Sequence, residues 1–339
     1  MSRNSETFKD EFVQQLLSTK ALRRLQDVTF LGAIDYLQPS NGKQVHRRRN
    51  NRFEHTLGVA KLVADYCDAQ RLSAEDARPL MAAALLHDVG HGPLSHTLEP
   101  IFKIQFGLDH HSVGVSYLRG KGELGEELDQ LLRFWHIDRE QVIEIIEGNS
   151  SVGHSKLFSS THNVDTIEAI TRSFSMARRS FAPRTAEYYF TSLWLNESFS
   201  HTVGDEFWRL KDTVYHVIIN GLAGRFMDSV AQSYMKTNLD AFSDADFALT
   251  DRKFMRKFSK LHGLLMHVLP LAQLQCELDD KMLTTNLVLI QRRFIVDENT
   301  FESRRYQQIK KTSNWHLLDH LNPHYEKSLI EHQLELDAL

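Results

Sequence analysis

Residues 78–99 read RPLMAAALLHDVGHGPLSHTLE, and the stretch changes character halfway along. In its first half Leu80, Ala83 and Ala84 recur at helical spacing, and His87 falls on the same inward stripe at the end of that helix. Ser73, followed by Glu75 and Asp76, supplies a capped start. Gly90, Gly92 and Pro93 then stop the helix. A His-Asp pair at a helix end, with His91 and His96 just beyond it, marks where the chemistry of this chain is to be sought.

Outward from that segment the chain reads as helix almost throughout. Residues 6–37 are expected to be helical, and Pro39 with Asn41-Gly42 predicts a short hairpin in QPSNGKQV. From Phe53 the helical period returns, with Leu57, Ala60, Ala64 and Cys67 on one face and His55 and Val59 on the next. RGKGELGEE (119–127) reads as a loop or broken connection and EGNSSVGHSKLFSST (147–161) as a polar one, before a helix from Asn163 to Phe174. Amphipathic helix is expected again over 206–235. The aromatic residues of AEYYFTSLW (186–194) read as core. With 7 Pro and 16 Gly in 339 residues, breakers are scarce. The fold class expected is all-α: a multi-helix core over residues 1–180, with a helical C-terminal extension over 181–339 packed on it as one structural unit.

The formal charge of −4 gives no global pull toward nucleic acid or anionic membrane. The run His46-Arg47-Arg48-Arg49 reads as a phosphate-attracting loop, and a dedicated nucleic-acid surface is possible but not favoured. Cys67 and Cys276 are too far apart and too few to suggest a disulfide framework or a Cys-based zinc site. The polar start MSRNSETFKDEF has no apolar signal core, and no stretch approaches the roughly 18–20 apolar residues of a membrane span. A cytoplasmic location without membrane contact is the expectation.

The eighteen histidines are a rich supply. Adjacent helical side chains diverge by about 100°, yet at a helix end His87 and Asp88 can converge on one ion. Two ligands are too few. His55 in RFEHTLGV and Asp165 in NVDTIEAI supply a further imidazole and a further carboxylate from two other helices. Two His and two Asp suit one divalent ion and leave positions open for water and substrate, as a catalytic site requires. The ligand set tolerates Mn, Mg, Fe, Co or Ni.

The series NRFEHTLGV, LLHDVGHGPLSH and VDTIEAITR resembles the HD-domain metal-dependent phosphohydrolases, and within them the deoxynucleotide triphosphohydrolase branch. The resemblance implies that His55, His87, Asp88 and Asp165 hold the metal. It implies catalytic work for His91 and His96, with Glu99 as the acid partnering His96, a pairing that spacing on a helix also allows. His110 matches a phosphate-facing histidine, and His111 stands where the family usually carries Glu. Arg52 and Lys211 match basic contacts to substrate phosphates. The third motif departs from the pattern. Thr166 replaces a basic phosphate contact, Ala169 and Ser173 replace a tyrosine and an acid that read the sugar, and Phe30 stands where many relatives carry a sugar-sensing Gln.

The function expected is therefore metal-dependent hydrolysis of a phosphate ester or anhydride, in a small-molecule substrate of the nucleotide class, with (d)NTP triphosphohydrolase-like chemistry. A nucleotidase or phosphodiesterase on mono- or cyclic phosphates is one alternative. A nucleotide- or nucleic-acid-binding regulatory module without turnover is the other. By resemblance, a homo-oligomer is expected.

Overall fold

A computed structural model describes residues 6–37, 50–148, 154–177, 184–196 and 200–266, together with residues 198, 291, 292, 304 and 306. Among these residues there are sixteen α-helices and no strand. The all-α expectation holds. The hairpin expected at 39–42 and the arginine run at 47–49 lie outside the described residues, as does Cys276.

The stretch 6–37 is not one continuous helical run. Asp10 and Thr19 each accept a hydrogen bond from the amide two or three residues on and start a fresh helix. The result is α1 (Glu6–Lys9), α2 (Glu11–Ser18) and α3 (Lys20–Arg24), followed by 3-10 turns at Leu25–Asp27 and Gly32–Tyr36. An isolated antiparallel bridge between Thr29 and Asn51 then delivers the chain to α4 (Arg52–Gln70) and α5 (Ala74–Leu86).

After the histidine-rich loop come α6 (Glu99–Phe106), α7 (His110–Leu118), α8 (Gly122–Phe134), α9 (Arg139–Glu147), α10 (Lys156–Ser159) and α11 (Val164–Ala177). Two expectations are corrected here. Most of 119–127 is the start of α8, because Leu124, Leu128, Leu131 and Leu132 bring an apolar face to the core and only Arg119–Lys121 make the turn. Within 147–161, residues Lys156–Ser159 form a helical turn with Leu157 buried.

The chain continues through α12 (Ala186–Phe190), α13 (His201–Thr213), α14 (Leu222–Lys236), α15 (Asp251–Lys257) and α16 (Ser259–Met266). The amphipathic stretch 206–235 is thus two helices, separated by a π-helical turn at Val214–Ile219 and by Asn220-Gly221. Tyr189 and Phe190 are buried, as expected of core aromatics.

Two apolar clusters fill the interior. The larger runs from Phe12 to Ile219 and joins α4, α5 and α11 to α13, so helices on both sides of residue 180 share one core. The smaller gathers Ala33, Leu94, Phe102 and Met227 with Phe247, Phe254 and Leu265. The histidine-rich loop lies where the two clusters meet: Val89 belongs to the first and Leu94 to the second. No helix among the described residues is long and apolar enough to cross a membrane.

Candidate active site

Asn51 caps α4 by accepting a hydrogen bond from the Glu54 amide at 2.9 Å, which puts His55 in the first turn of that helix. His55 is fully buried and faces the end of α5 and the first turn of α11. His87 is the C-cap of α5, where its Nδ1 donates to the Ala84 carbonyl at 2.9 Å. His55 Nδ1 donates to Glu168 at 2.5 Å. Both rings therefore turn Nε2 toward the same point, 3.3 Å apart. Asp165 Oδ1 lies 3.0 Å from His55 Nε2 and 3.7 Å from His87 Nε2. Asp88 Oδ2 lies 3.5 Å from the first and 3.7 Å from the second.

Neighbouring ligand atoms on an octahedral ion with bonds of about 2.1 Å are about 3.0 Å apart. The spacing of these donors thus fits one ion with little adjustment. Two imidazole nitrogens facing each other at 3.3 Å need a positive charge between them. The local field supplies that preference. Burial alone would lower the His55 pKa, but Glu168, Asp165 and Asp88 outweigh it and raise it to about 9. His87 is raised as well, against burial, by Asp88 and Asp165. Burial opposes ionisation of Asp165, yet hydrogen bonds from His55 and His87 hold it well below the usual carboxylate range. His55, His87 and Asp165 could hold a metal ion, and Asp88 stands beside them.

Arg52 opens α4 one turn before His55, and its guanidinium is committed to the protein. Nη1 donates to Asp88 Oδ2 at 2.7 Å, Nε to Ser95 Oγ at 3.0 Å and Nη2 to the Phe30 carbonyl at 2.8 Å. It lies 4.7 Å from the Phe30 ring centroid, and that ring also packs on His55. Burial disfavours the Asp88 carboxylate, but Arg52 and the neighbouring histidines keep its pKa far below normal.

A second group lies beside the first: His91, His96, Glu99 and His110 each bring one donor atom within 4.8 Å of the others. Their assembly depends on Gly90. A Cβ there would come 2.0 Å from the His110 carbonyl and 2.4 Å from the Gly114 amide, so only glycine lets the loop lie against α7. His110, the first residue of α7, then stacks on His91 with ring centres 4.1 Å apart and planes at 7°. His91 is buried, and its Nε2 lies 3.2 Å from Asp88 Oδ1 without forming a hydrogen bond.

Glu99 lies beside His96, as expected, but pairs more closely with His110. His110 Nδ1 donates to it at 2.5 Å and the His110 amide at 3.3 Å, while His96 Nδ1 is 3.9 Å away. The reason is local. His96 sits in a 3-10 turn after Leu94 and Ser95, which hold φ of 54° and 42°, so it does not share a helix with Glu99. His110 is 11 positions on and reaches Glu99 only through the fold.

Lys211, on α13, places its amine 4.8 Å from the Trp208 ring centroid. Burial lowers its pKa to about 8, against the pull of Asp165. At the positions where the resemblance implies sugar contacts, Ser173 donates its hydroxyl to the Ala169 carbonyl. A cleft of about 370 Å³ opens beside His87 and His111, with Leu86, Val115, Ile143 and Ile146 in its walls.

Three supporting residues carry no sequence signal of their own role. Glu168 orients His55 and is gripped through both oxygens by Arg172 at 2.6 to 3.1 Å. Asp251, from α15, accepts the Leu94 amide at 2.9 Å and the Thr29 amide at 3.1 Å. Arg24, from α3, donates to the carbonyls of Val89 and His91 and, at 3.3 Å, to that of Leu249. The helical period of residues 164–174 places Glu168 one turn beyond Asp165; nothing in the sequence brings residues 24 and 251 to this loop.

Residues 52–171 match the family model described as the HD domain. The uncharacterised protein YwfO of Bacillus subtilis is 31% identical over 169 residues, 48% of this chain and 36% of that one. Deoxynucleoside triphosphate triphosphohydrolase SAMHD1 of Bos taurus is 32% identical over 97 residues, 26% of this chain and 15% of its own length. The chain thus spans only a minor part of these curated relatives. Among solved structures, a hypothetical protein from Aquifex aeolicus superposes with a TM-score of 0.57 at 18% identity, over 75% of this chain and 72% of that one. A phosphohydrolase from Bacteroides thetaiotaomicron gives 0.52 at 16%, over 75% and 65%. At such identities these two similarities speak for the fold alone. Over residues 52–171 the chain is thus similar to the HD domain, and the partial matches to deoxynucleoside triphosphate triphosphohydrolases point to that branch of the superfamily.

Proposed function

We propose that the chain is a divalent-metal-dependent phosphohydrolase whose substrate is a nucleotide, with His55, His87, Asp88 and Asp165 as the ion's ligands. The observation that carries the reading is the convergence of the two Nε2 atoms, 3.3 Å apart, on the Asp165 and Asp88 carboxylates. When bound, the ion supplies Lewis acidity toward phosphoryl oxygens and acidifies water.

The chain's own groups do the rest. The buried His91 ring faces Asp88 through Nε2 at 3.2 Å and stacks on His110, so on this reading it positions these two groups. Glu99 fixes the His110 ring by accepting from Nδ1, which leaves Nε2 of His110 to hold or release a proton at the leaving oxygen. His96, more exposed and unpaired at hydrogen-bond distance, lines the approach. Lys211 adds positive charge on the Asp165 side. Arg52 acts on this reading by fixing Asp88, and its remaining N–H groups are what it can offer to a phosphate.

The similarity to the triphosphohydrolase SAMHD1 supports a deoxynucleoside triphosphate as the substrate. The departures at Phe30, Ala169 and Ser173 argue that any reading of the sugar differs from that of the family. The test is a hydrolysis screen of metal-stripped protein re-supplied with Mg, Mn, Co or Fe(II). It covers dNTPs, NTPs, and mono- and cyclic nucleotides, with product separation and an Asp88→Ala control. Metal-dependent release of tripolyphosphate, absent from the control, is expected. Turnover retained by the control would remove the proposal, and orthophosphate or ring-opened products would move it to the nucleotidase or phosphodiesterase reading.

A further inference from the structure

We infer that Gly58, Glu168 and Arg172 form a positioning device that sets the orientation of His55, and that Gly58 is its determining element. The inference rests on the metal-centre reading above and assigns residues outside the proposed ligand set.

His55 lies inside the protein and has two ring nitrogens to satisfy. Nε2 faces the ion site, and Nδ1 donates to Glu168 Oε2 at 2.5 Å. A carboxylate on the far nitrogen fixes both the tautomer and the plane of a ligating imidazole and raises its basicity. Glu168 is itself buried and could not hold that position as a free ion. Arg172, one turn on in α11, gives Glu168 Oε1 hydrogen bonds from Nη2 at 2.6 Å and Nε at 2.9 Å. Arg172 is anchored in turn on the Glu54 carbonyl of α4 at 2.8 Å. The chain of contacts leaves α4 at His55, passes through Glu168 and Arg172 of α11, and returns to α4 at Glu54.

Gly58 is what allows this loop of contacts to close. It lies three residues after His55 in α4, and a Cβ built there would stand 2.3 Å from Glu168 Oε1, 2.6 Å from Cδ and 2.7 Å from Cγ. The Glu168 side chain thus rests against bare helix backbone, in a notch that alanine would fill. The atoms in conflict include the carboxyl carbon and Cγ, already held by Arg172 and His55, so the side chain cannot swing clear without giving up a partner. A methyl group at residue 58 therefore acts on the metal centre through Glu168, although it touches no ligand.

The experiment is calorimetric binding of Mn(II) and Co(II) to metal-stripped wild-type protein and to Gly58→Ala, Glu168→Gln and the double variant. The visible spectrum of the Co(II) form and the His55 Nδ1–H proton resonance of the metal-free form are read alongside. Each single variant is expected to bind about 10–100-fold more weakly, to shift the Co(II) bands and to lose the deshielded proton. The double variant is expected to be no weaker than the worse single one, because both act through one contact. Should Gly58→Ala fail to fold, the isosteric Glu168→Gln carries the test. Wild-type affinity and an unchanged proton resonance in Glu168→Gln or Gly58→Ala would overturn the inference while leaving the metal reading intact, and so would additive losses in the double variant. A wild-type chain that binds neither ion would overturn the metal reading and the inference with it.

Discussion

Nη1 of Arg52 stands 2.7 Å from Oδ2 of Asp88, and the two side chains are 5% and 6% exposed. A pair so deeply buried costs a great deal to break, because the surviving charge has neither water nor partner. Arg52→Ala is expected to destabilise the protein by about 3–5 kcal/mol, read as a fall in the urea midpoint at constant slope. Arg52→Lys should recover little of this. The guanidinium uses three nitrogens on Asp88, Ser95 and Phe30, a fork that a single ammonium cannot reproduce. A lysine variant as stable as wild type would show that charge alone matters there.

Glu99 holds His110 and stands outside the four proposed ligands. Glu99→Gln keeps the shape but removes the negative charge that accepts from Nδ1 and orients the ring. If the dyad moves the proton, kcat should fall by at least about 100-fold, with ion affinity and KM little changed. A variant that loses ion binding instead would place Glu99 in the metal shell.

Asp251 accepts two backbone amides and is buried, and burial, only partly opposed by those hydrogen bonds, raises its pKa from 3.8 to about 6. A raised carboxyl pKa favours the folded state while the group is protonated. The contribution is full below pH 4 and is lost as pH rises through 6, worth about 3 kcal/mol at most. Asp251→Asn cannot titrate and presents an amide to backbone donors. It should be less stable than wild type at pH 4.5, with a gap that narrows by pH 7.5 in denaturant titrations. A gap independent of pH would refute the assignment.

Ion binding to the folded state alone raises stability by mass action. Adding Mn(II) at about 100 times its dissociation constant should stabilise the stripped protein by about 2.7 kcal/mol, seen as a higher melting temperature. Asp165→Asn should abolish the response. A response equal to wild type in that variant would exclude Asp165 as a ligand.

Local features of the site were legible and distant ones were not. The period of Leu80, Ala83 and Ala84, ended by Gly90, placed His87 at a helix end because both signals act within a few residues. The spacing of His96 and Glu99 brings the two within 3.9 Å but not onto one helix, because Leu94 and Ser95 turn left-handed between α5 and α6. What stabilises that turn is Asp251, 157 positions from Leu94. Glu168 was readable as one turn beyond Asp165, but its service to His55 spans 113 positions and needs the crossing of α4 and α11. The helical class followed from scarce breakers and sustained periodicity, which are properties of the chain rather than of any one contact.

Arg24 gathers carbonyls from the loop at Val89 and His91 and from Leu249, while Asp251 ties Thr29 to Leu94. The segment that matches the family, 52–171, is therefore not a cassette that can be lifted out or transplanted. Excised, it would leave those carbonyls and the Leu94 amide without these partners, and the loop bearing His91 would lose its template. The family match covers only the middle of this polypeptide, but the loop within it is held in shape from both flanks.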